Sequence, residues 1–136
     1  DEFSAFYRQC EASPQSTLHQ FLGLQVLGSA ARGPTLRALR QALGAVPEPR
    51  PEALLEGLRV LRDSDLRAAL ATVDCPVLWL CGERDQLTPV AAARLSAASM
   101  MQSQVECLPG AGHAPFISHE AEVLEQINAW FLEKCV

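Results

Sequence analysis

The chain has 136 residues, of which 49% are apolar and 20% are charged, and its formal net charge is −5. This length and composition predict one globular domain, or a piece of a larger one, and are unlike those of a disordered chain. The acidic balance argues against a nucleic-acid partner. Because no run approaches the ~20 apolar residues of a membrane span, we expect no membrane partner.

Cysteine usage indicates a reduced, cytoplasmic chain. The five cysteines are odd in number and form no CxxC pair; they are Cys10, Cys75, Cys81, Cys107 and Cys135. Two of them fall inside predicted buried strands, where cysteine behaves as a small apolar residue. We therefore expect neither structural disulfides nor a metal site, and nothing in the sequence implies a cofactor.

The first half of the chain predicts helices and no strand. Apolar residues recur at helical spacing, and the helices are expected over residues 2–10, 14–27, 34–43 and 51–63. Ser13 is the expected N-cap of the second helix, with Pro14 at its first position. Near Val73 the composition changes, so residues 1–73 and 74–136 are assigned to different parts of the fold.

One stretch of this helical part is locally basic. Residues 12–47 contain no Asp or Glu, although Arg32, Arg37 and Arg40 lie within them. Such a local patch on an acidic protein is more informative than the net charge. An ordinary solvated helix face with three arginines explains it equally well.

The second half alternates strands and helices. Residues Val77–Cys81 form an apolar run between a proline and a glycine, which predicts a strand buried on both faces. A helix capped by Thr88, a strand over 104–108 and a last helix capped by Ser118 follow. Short connections between alternating elements predict two parallel strands with a right-handed crossover, and so an α/β fold.

An aspartate and a histidine follow the two strands. Asp85 comes directly after the first strand, and His113 lies in the glycine-containing loop after the second. Their order and the intervening elements match the acid and base of an α/β-hydrolase triad. The alternatives are an ordinary turn carboxylate, for which Glu83 also competes, and a loop histidine without a role.

Two segments carry a family resemblance. PVLWLCGERDQLTP, at 76–89, and LPGAGHAPFISH, at 108–119, resemble the C-terminal part of α/β-hydrolases. HAPFISH together with FLGLQ, at 21–25, is narrower and resembles the pimeloyl-[acyl-carrier-protein] methyl ester carboxylesterases of biotin synthesis.

The resemblance implies a serine esterase that cleaves the methyl ester of a pimeloyl chain held on acyl carrier protein. Asp85 is then the triad acid and His113 the base, residues 1–73 form a cap, and residues 74–136 are the C-terminal part of the hydrolase core. The cap segment that lines the acyl channel, or merely packs as helix, consists of Phe21, Leu22, Gly23, Leu24 and Gln25. Arg32, Arg37 and Arg40 match arginines that face the carrier protein.

The chain departs from that pattern because it contains no Gly-x-Ser-x-Gly nucleophile motif. We therefore expect the C-terminal portion of an α/β-hydrolase, with a helical cap and two parallel strands, that is inactive alone. A two-stranded sheet is small, which predicts self-association or pairing with a missing N-terminal half. The alternatives are a non-catalytic fragment that acts by binding or oligomerisation, and a hydrolase for another acyl ester.

Overall fold

The computed structural model describes residues 2–134, apart from the side chain of Glu2, so Cys135 lies outside the described residues. Four helices make up the first half: α1 (Glu2–Ala12), α2 (Pro14–Gln25), α3 (Arg32–Gly44) and α4 (Pro51–Asp63). A 3₁₀ helix over Arg67–Thr72 leads to the first strand. The prediction of a helical first half is confirmed.

Prolines set where two of these helices begin. Pro14 and Pro51 occupy the first turns of α2 and α4, where the missing amide hydrogen would have had no helical acceptor. Ser13 occupies the N-cap position of α2, as predicted, although its side chain makes no capping hydrogen bond. Its carbonyl oxygen instead accepts hydrogen bonds from the amide and the hydroxyl of Thr17, at 3.0 and 2.8 Å, so the first turn is closed from inside the helix.

The second half alternates as expected. Its elements are β1 (Val77–Gly82), α5 (Val90–Ala97), β2 (Ser103–Leu108), α6 (Pro115–Ser118) and α7 (Glu120–Lys134). The two strands pair in parallel, with Val77 opposite Ser103 and Gly82 opposite Leu108. Since α5 connects them, this half is a strand–helix–strand unit, which confirms the α/β fold class.

Helices cover both faces of this small sheet. Leu80 packs with Leu108, Ala111 and Val123 of α7 on one side. On the other side the Ser103 hydroxyl donates to a carbonyl at the end of α5, at 2.7 Å. The prediction that β1 is buried on both faces is wrong: its side chains are half-buried, because within residues 2–134 the sheet has two strands and each keeps an open edge.

The last helix also differs from expectation. Ser118 does not cap α7, because it is the final residue of α6 and its hydroxyl donates to the carbonyl of Ala114 at 3.1 Å. The buried anchor of α7 is Val123. Four other large apolar residues of α7 are exposed, namely Leu124, Ile127, Phe131 and Leu132.

Candidate active site

The two strands deliver an acid and a base to the same edge of the sheet. Both carboxyl ends lie there because the strands are parallel. Asp85 follows β1 and His113 follows β2, and the distance from His113 Nδ1 to Asp85 Oδ2 is 2.8 Å. The side chains of Asp85 and His113 are therefore in contact, as expected from the sequence.

The loop after β1 holds the Asp85 carboxylate in place. Its Oδ1 accepts the backbone amides of Leu87 and Thr88, at 2.8 and 2.9 Å. Its Oδ2 accepts the Thr88 hydroxyl at 2.7 Å in addition to the contact with His113. The prediction that Thr88 caps α5 is wrong, because Pro89 occupies the N-cap position and the Thr88 hydroxyl is used on Asp85.

These contacts keep Asp85 charged despite its burial. Only 6% of its side chain is exposed, and this burial alone raises its pKa. Hydrogen bonds from the Thr88 amide and hydroxyl, from His113 and from the Leu87 amide outweigh the burial, so the pKa of Asp85 lies below its ordinary value. Asp85 is consequently a carboxylate at neutral pH.

The loop that carries His113 is fixed by its backbone. The amide of His113 donates to the carbonyl of Gln25, at the end of α2, at 3.1 Å. Gly110 adopts a φ of +72°, a conformation that favours glycine, and its amide donates to a Glu83 carboxylate oxygen at 2.9 Å. Glu83 therefore binds the histidine loop and does not compete with Asp85 for the histidine.

The arrangement suits proton transfer. With Nδ1–H donated to Asp85, the Nε2 of a neutral His113 is free to accept a proton, and the carboxylate stabilises the imidazolium that results. The His113 side chain is 29% exposed, so its ring remains accessible. The Thr88 hydroxyl oxygen lies 3.1 Å from the same Nδ1, so the side chains of Asp85, Thr88 and His113 all contact one another.

The five residues of the FLGLQ segment do not share one environment. Phe21 packs against Phe6 in a tilted arrangement, with ring centroids 5.5 Å apart, beside an apolar cavity of about 270 Å³ between α1, α2 and α4. Leu22 is buried and Leu24 is exposed. Gln25 is the member whose backbone reaches the His113 loop. The segment thus runs from the interior of the helical half to the candidate site.

The three arginines lie on α3 and are exposed. Within residues 2–134, none of Arg32, Arg37 and Arg40 forms a salt bridge. Arg40 borders a cavity of about 610 Å³ that it shares with His19 and Glu48. The positive charges are therefore available to solvent, and no neighbouring carboxylate of the described residues pairs with them.

Sequence reasoning missed three contributions to this site. Thr88 was recognisable from its position three residues after an aspartate, a spacing typical of side-chain turns. No local signal marks Glu83 or the Gln25 carbonyl, because their partners are remote in sequence. In the part of the chain that the structure describes, no three His, Cys, Asp or Glu side chains are placed to hold a metal ion.

No helix among the described residues has both the length and the apolar character needed to cross a membrane. The parallel strand–helix–strand unit, with Asp85 and His113 in contact beyond the strand ends, is the arrangement expected for the C-terminal part of an α/β-hydrolase fold. A family model described as "Alpha/beta hydrolase family" matches residues 5–126, and the chain belongs to this family.

Solved structures agree on the fold. An esterase from Exiguobacterium antarcticum superposes with a TM-score of 0.82 at 20% identity, over 96% of this chain and 47% of that one. A bromoperoxidase from Bacillus anthracis gives 0.82 at 18% identity, over 96% and 48% of the respective chains.

The particular relatives are more specific. A protein of Xanthomonas oryzae pv. oryzae named pimeloyl-[acyl-carrier protein] methyl ester esterase is 42% identical over 126 residues, which are 93% of this chain and 50% of the relative. A protein of Stenotrophomonas maltophilia with the same name is 44% identical over 89% of this chain and 47% of its own length. The chain thus spans about half the length of the curated relatives it matches.

Proposed function

We propose that the chain supplies the acid and base of a serine carboxylesterase that hydrolyses the methyl ester of pimeloyl-[acyl-carrier protein]. The observation that carries this proposal is the 2.8 Å contact between Asp85 and His113 at the strand ends. The names of the relatives support the substrate. In this proposal Asp85 is the triad acid and His113 the general base, residues 1–73 are the cap, and residues 74–136 belong to the catalytic core.

The chemistry also requires a nucleophilic serine hydroxyl, and residues 1–136 contain no serine in the Gly-x-Ser-x-Gly motif. His113 would take the proton of a serine as that serine attacks the ester carbonyl, and would return it to the departing methoxide as methanol forms. The sequence has no Gly-x-Ser-x-Gly motif, so the nucleophile would come from polypeptide outside residues 1–136. We therefore expect the chain alone to show no esterase turnover.

The test is a fusion protein. The half of the Xanthomonas oryzae relative that this chain does not match would be joined to residues 1–136, and methanol release from methyl pimeloyl-[acyl-carrier protein] would be measured. Turnover by the fusion, together with none by the chain alone, supports the proposal. A well-folded fusion without activity on any ester would overturn it.

Variants of the two candidate residues sharpen the test. His113→Gln and Asp85→Asn should each lower kcat by a factor on the order of 10⁴, as loss of a triad member does. His119→Gln is the matched control, since His119 lies close in sequence but its Nδ1 contacts Ser118. Equal losses for His113→Gln and His119→Gln would remove His113 from the role of base.

Substrate choice is tested by comparing esters. A preference for the carrier-bound pimeloyl ester over free methyl pimelate and p-nitrophenyl acetate, measured as kcat/KM, supports the proposed substrate. If kcat/KM of the fusion is as high for the small esters as for the carrier-bound ester, the protein is a hydrolase for another acyl group that uses the same acid and base.

We also propose that another polypeptide covers the exposed apolar surface of α7 and the open strand edges. Leu124 and Phe131, seven residues apart on one face of α7, are each 52% exposed, and adjoining apolar side chains exposed in this way are typical of an interaction surface. A second copy and a nucleophile-bearing segment both fit. Light scattering that gives the mass of one chain, alone and after mixing with the other half of the relative, would exclude both.

A further inference from the structure

Two cysteines form a registered pair on one face of the sheet. Cys81 of β1 and Cys107 of β2 are direct partners across the parallel ladder. Side chains alternate between the two faces of a strand, so partners in register project on the same side. Ser103, four residues before Cys107 in β2 and so on the same face, marks this side as the one covered by α5. The two sulfurs are therefore neighbours beneath α5.

The surroundings leave this pair reduced and partly accessible. Both cysteines are free thiols, and both are half-buried. The covering helix α5 buries only the small side chains Ala93 and Ala97. Burial, and then the proximity of Cys107, raises the pKa of Cys81, which is consistent with two close sulfurs.

Strand geometry disfavours a direct disulfide between the two residues. Neighbouring strands lie about 4.8 Å apart, and the Cβ atoms of a parallel registered pair keep roughly that separation. A disulfide needs Cβ atoms about 3.5–4.5 Å apart, so direct closure would strain the ladder. One atom placed between the sulfurs lengthens the bridge and removes this strain.

We propose that Cys81 and Cys107 form a dithiol site that captures trivalent arsenic compounds of the aryl arsenoxide type. Two As–S bonds form, both S–H bonds and the As–O bond break, and the oxygen leaves as water with the two thiol protons. Arsenic stays trivalent throughout, so no oxidant is needed.

The probe is phenylarsine oxide with the chain in which Cys10, Cys75 and Cys135 are replaced by Ser. Mass spectrometry should find one phenylarsenic group bound with loss of one water. The adduct should survive excess 2-mercaptoethanol and be removed by 2,3-dimercaptopropanol, because two attachment points within one molecule slow release. Cys81→Ser or Cys107→Ser should speed release in the monothiol at least about 100-fold.

A face-swapped variant is the matched control. Glu106→Cys combined with Cys107→Ser keeps two thiols in the sheet but puts the second on the opposite face. This variant should release the arsenical as fast as the single-cysteine variants do. Equally slow release from it, or rapid release from the parent pair, would overturn the proposal.

Peptide mapping of the unmodified chain provides a measurement that does not depend on how the variants fold. After reaction and proteolysis, the segments that contain Cys81 and Cys107 should be joined through arsenic. Finding arsenic on Cys10 or Cys75 instead would overturn the assignment.

Discussion

Gly82 at the end of β1 lies directly against the backbone of Gly112 in the histidine loop. A Cβ at position 82 would overlap the carbonyl oxygen of Gly112 and lie 2.6 Å from that of Ala111. Both obstacles are backbone atoms, so they can move away only if the loop that carries His113 is displaced.

Gly82→Ala should therefore destabilise the fold and separate the acid from the base. Crowding of this kind costs about 1–3 kcal/mol in free energy of unfolding. Gly57→Ala in α4 is the control, because a Cβ there would meet nothing within 4 Å and should stabilise the helix by up to about 1 kcal/mol. Urea unfolding of both variants checks the prediction, and a Gly82→Ala curve like that of the parent would contradict it.

The Thr88 hydroxyl should act as a positioning group for Asp85. Thr88→Val keeps the shape of the side chain but removes the donor to Oδ2, so the pKa of Asp85 should rise. Titration of the carboxyl carbon by NMR measures this directly. In the fusion enzyme kcat should fall roughly tenfold, in line with loss of a hydrogen bond to a charged group.

Thr88→Ser restores the donor and should return both the Asp85 pKa and kcat close to those of the parent. Thr72→Val is a second control, because the Thr72 hydroxyl donates to the carbonyl of Ala69 and not to Asp85. It should leave the pKa of Asp85 unchanged. If Thr88→Ser and Thr88→Val behave alike, the hydroxyl has no such role.

Asp85 should make stability depend on acid pH. Its pKa is lowered in the folded state from about 3.9 in an unfolded chain. Its contribution to stability is therefore complete above the unfolded value and is lost as the pH falls through the lower folded value. Between about pH 5 and pH 2, the parent should lose more free energy of unfolding than Asp85→Asn does.

Denaturant unfolding at a series of pH values measures this difference. Asp74→Asn is the matched control, since Asp74 is an exposed residue just before β1. It should follow the parent curve. An Asp85→Asn curve parallel to that of the parent over the whole range would show that the carboxylate does not have the lowered pKa.

The exposed arginines of α3 should matter only for a carrier-bound substrate. Arg32→Glu with Arg37→Glu should raise KM for the carrier-bound ester roughly tenfold in the fusion enzyme and leave p-nitrophenyl acetate unaffected. High salt should shrink the difference by screening. Arg8→Glu, at an exposed position of α1, is the control. Equal losses on both substrates, or none, would remove the docking role.

Much of this architecture is predictable from the sequence, for local reasons. Pro14 and Pro51 indicated the starts of α2 and α4, and the short apolar runs identified both strands. The meeting of Asp85 and His113 follows from parallel strand order alone, since consecutive parallel strands end at one edge.

The features that the sequence did not predict are mainly hydrogen-bond partners, which depend on the tertiary structure around each group. Thr88 and Ser118 both stand before helices and have capping chemistry, yet each hydroxyl donates to another acceptor, the Asp85 carboxylate and the Ala114 carbonyl respectively. The bond from Gly110 to Glu83 spans 27 positions, beyond the reach of any local pattern. Exposure of β1 depends on how many strands flank it, which its own residues do not encode.

Two backbone hydrogen bonds join the segment at the end of α2 to the loop that carries His113. The carbonyl of Gln25 receives the amide of His113, and the amide of Ala30 donates to the carbonyl of Gly110 at 2.9 Å. We therefore expect the turn over 25–30 and the loop over 110–113 to move together. If the helical half moves away from the sheet, we expect the hinge to lie before Gln25 or after Ala30. His113 would then keep its position relative to Asp85 during the movement.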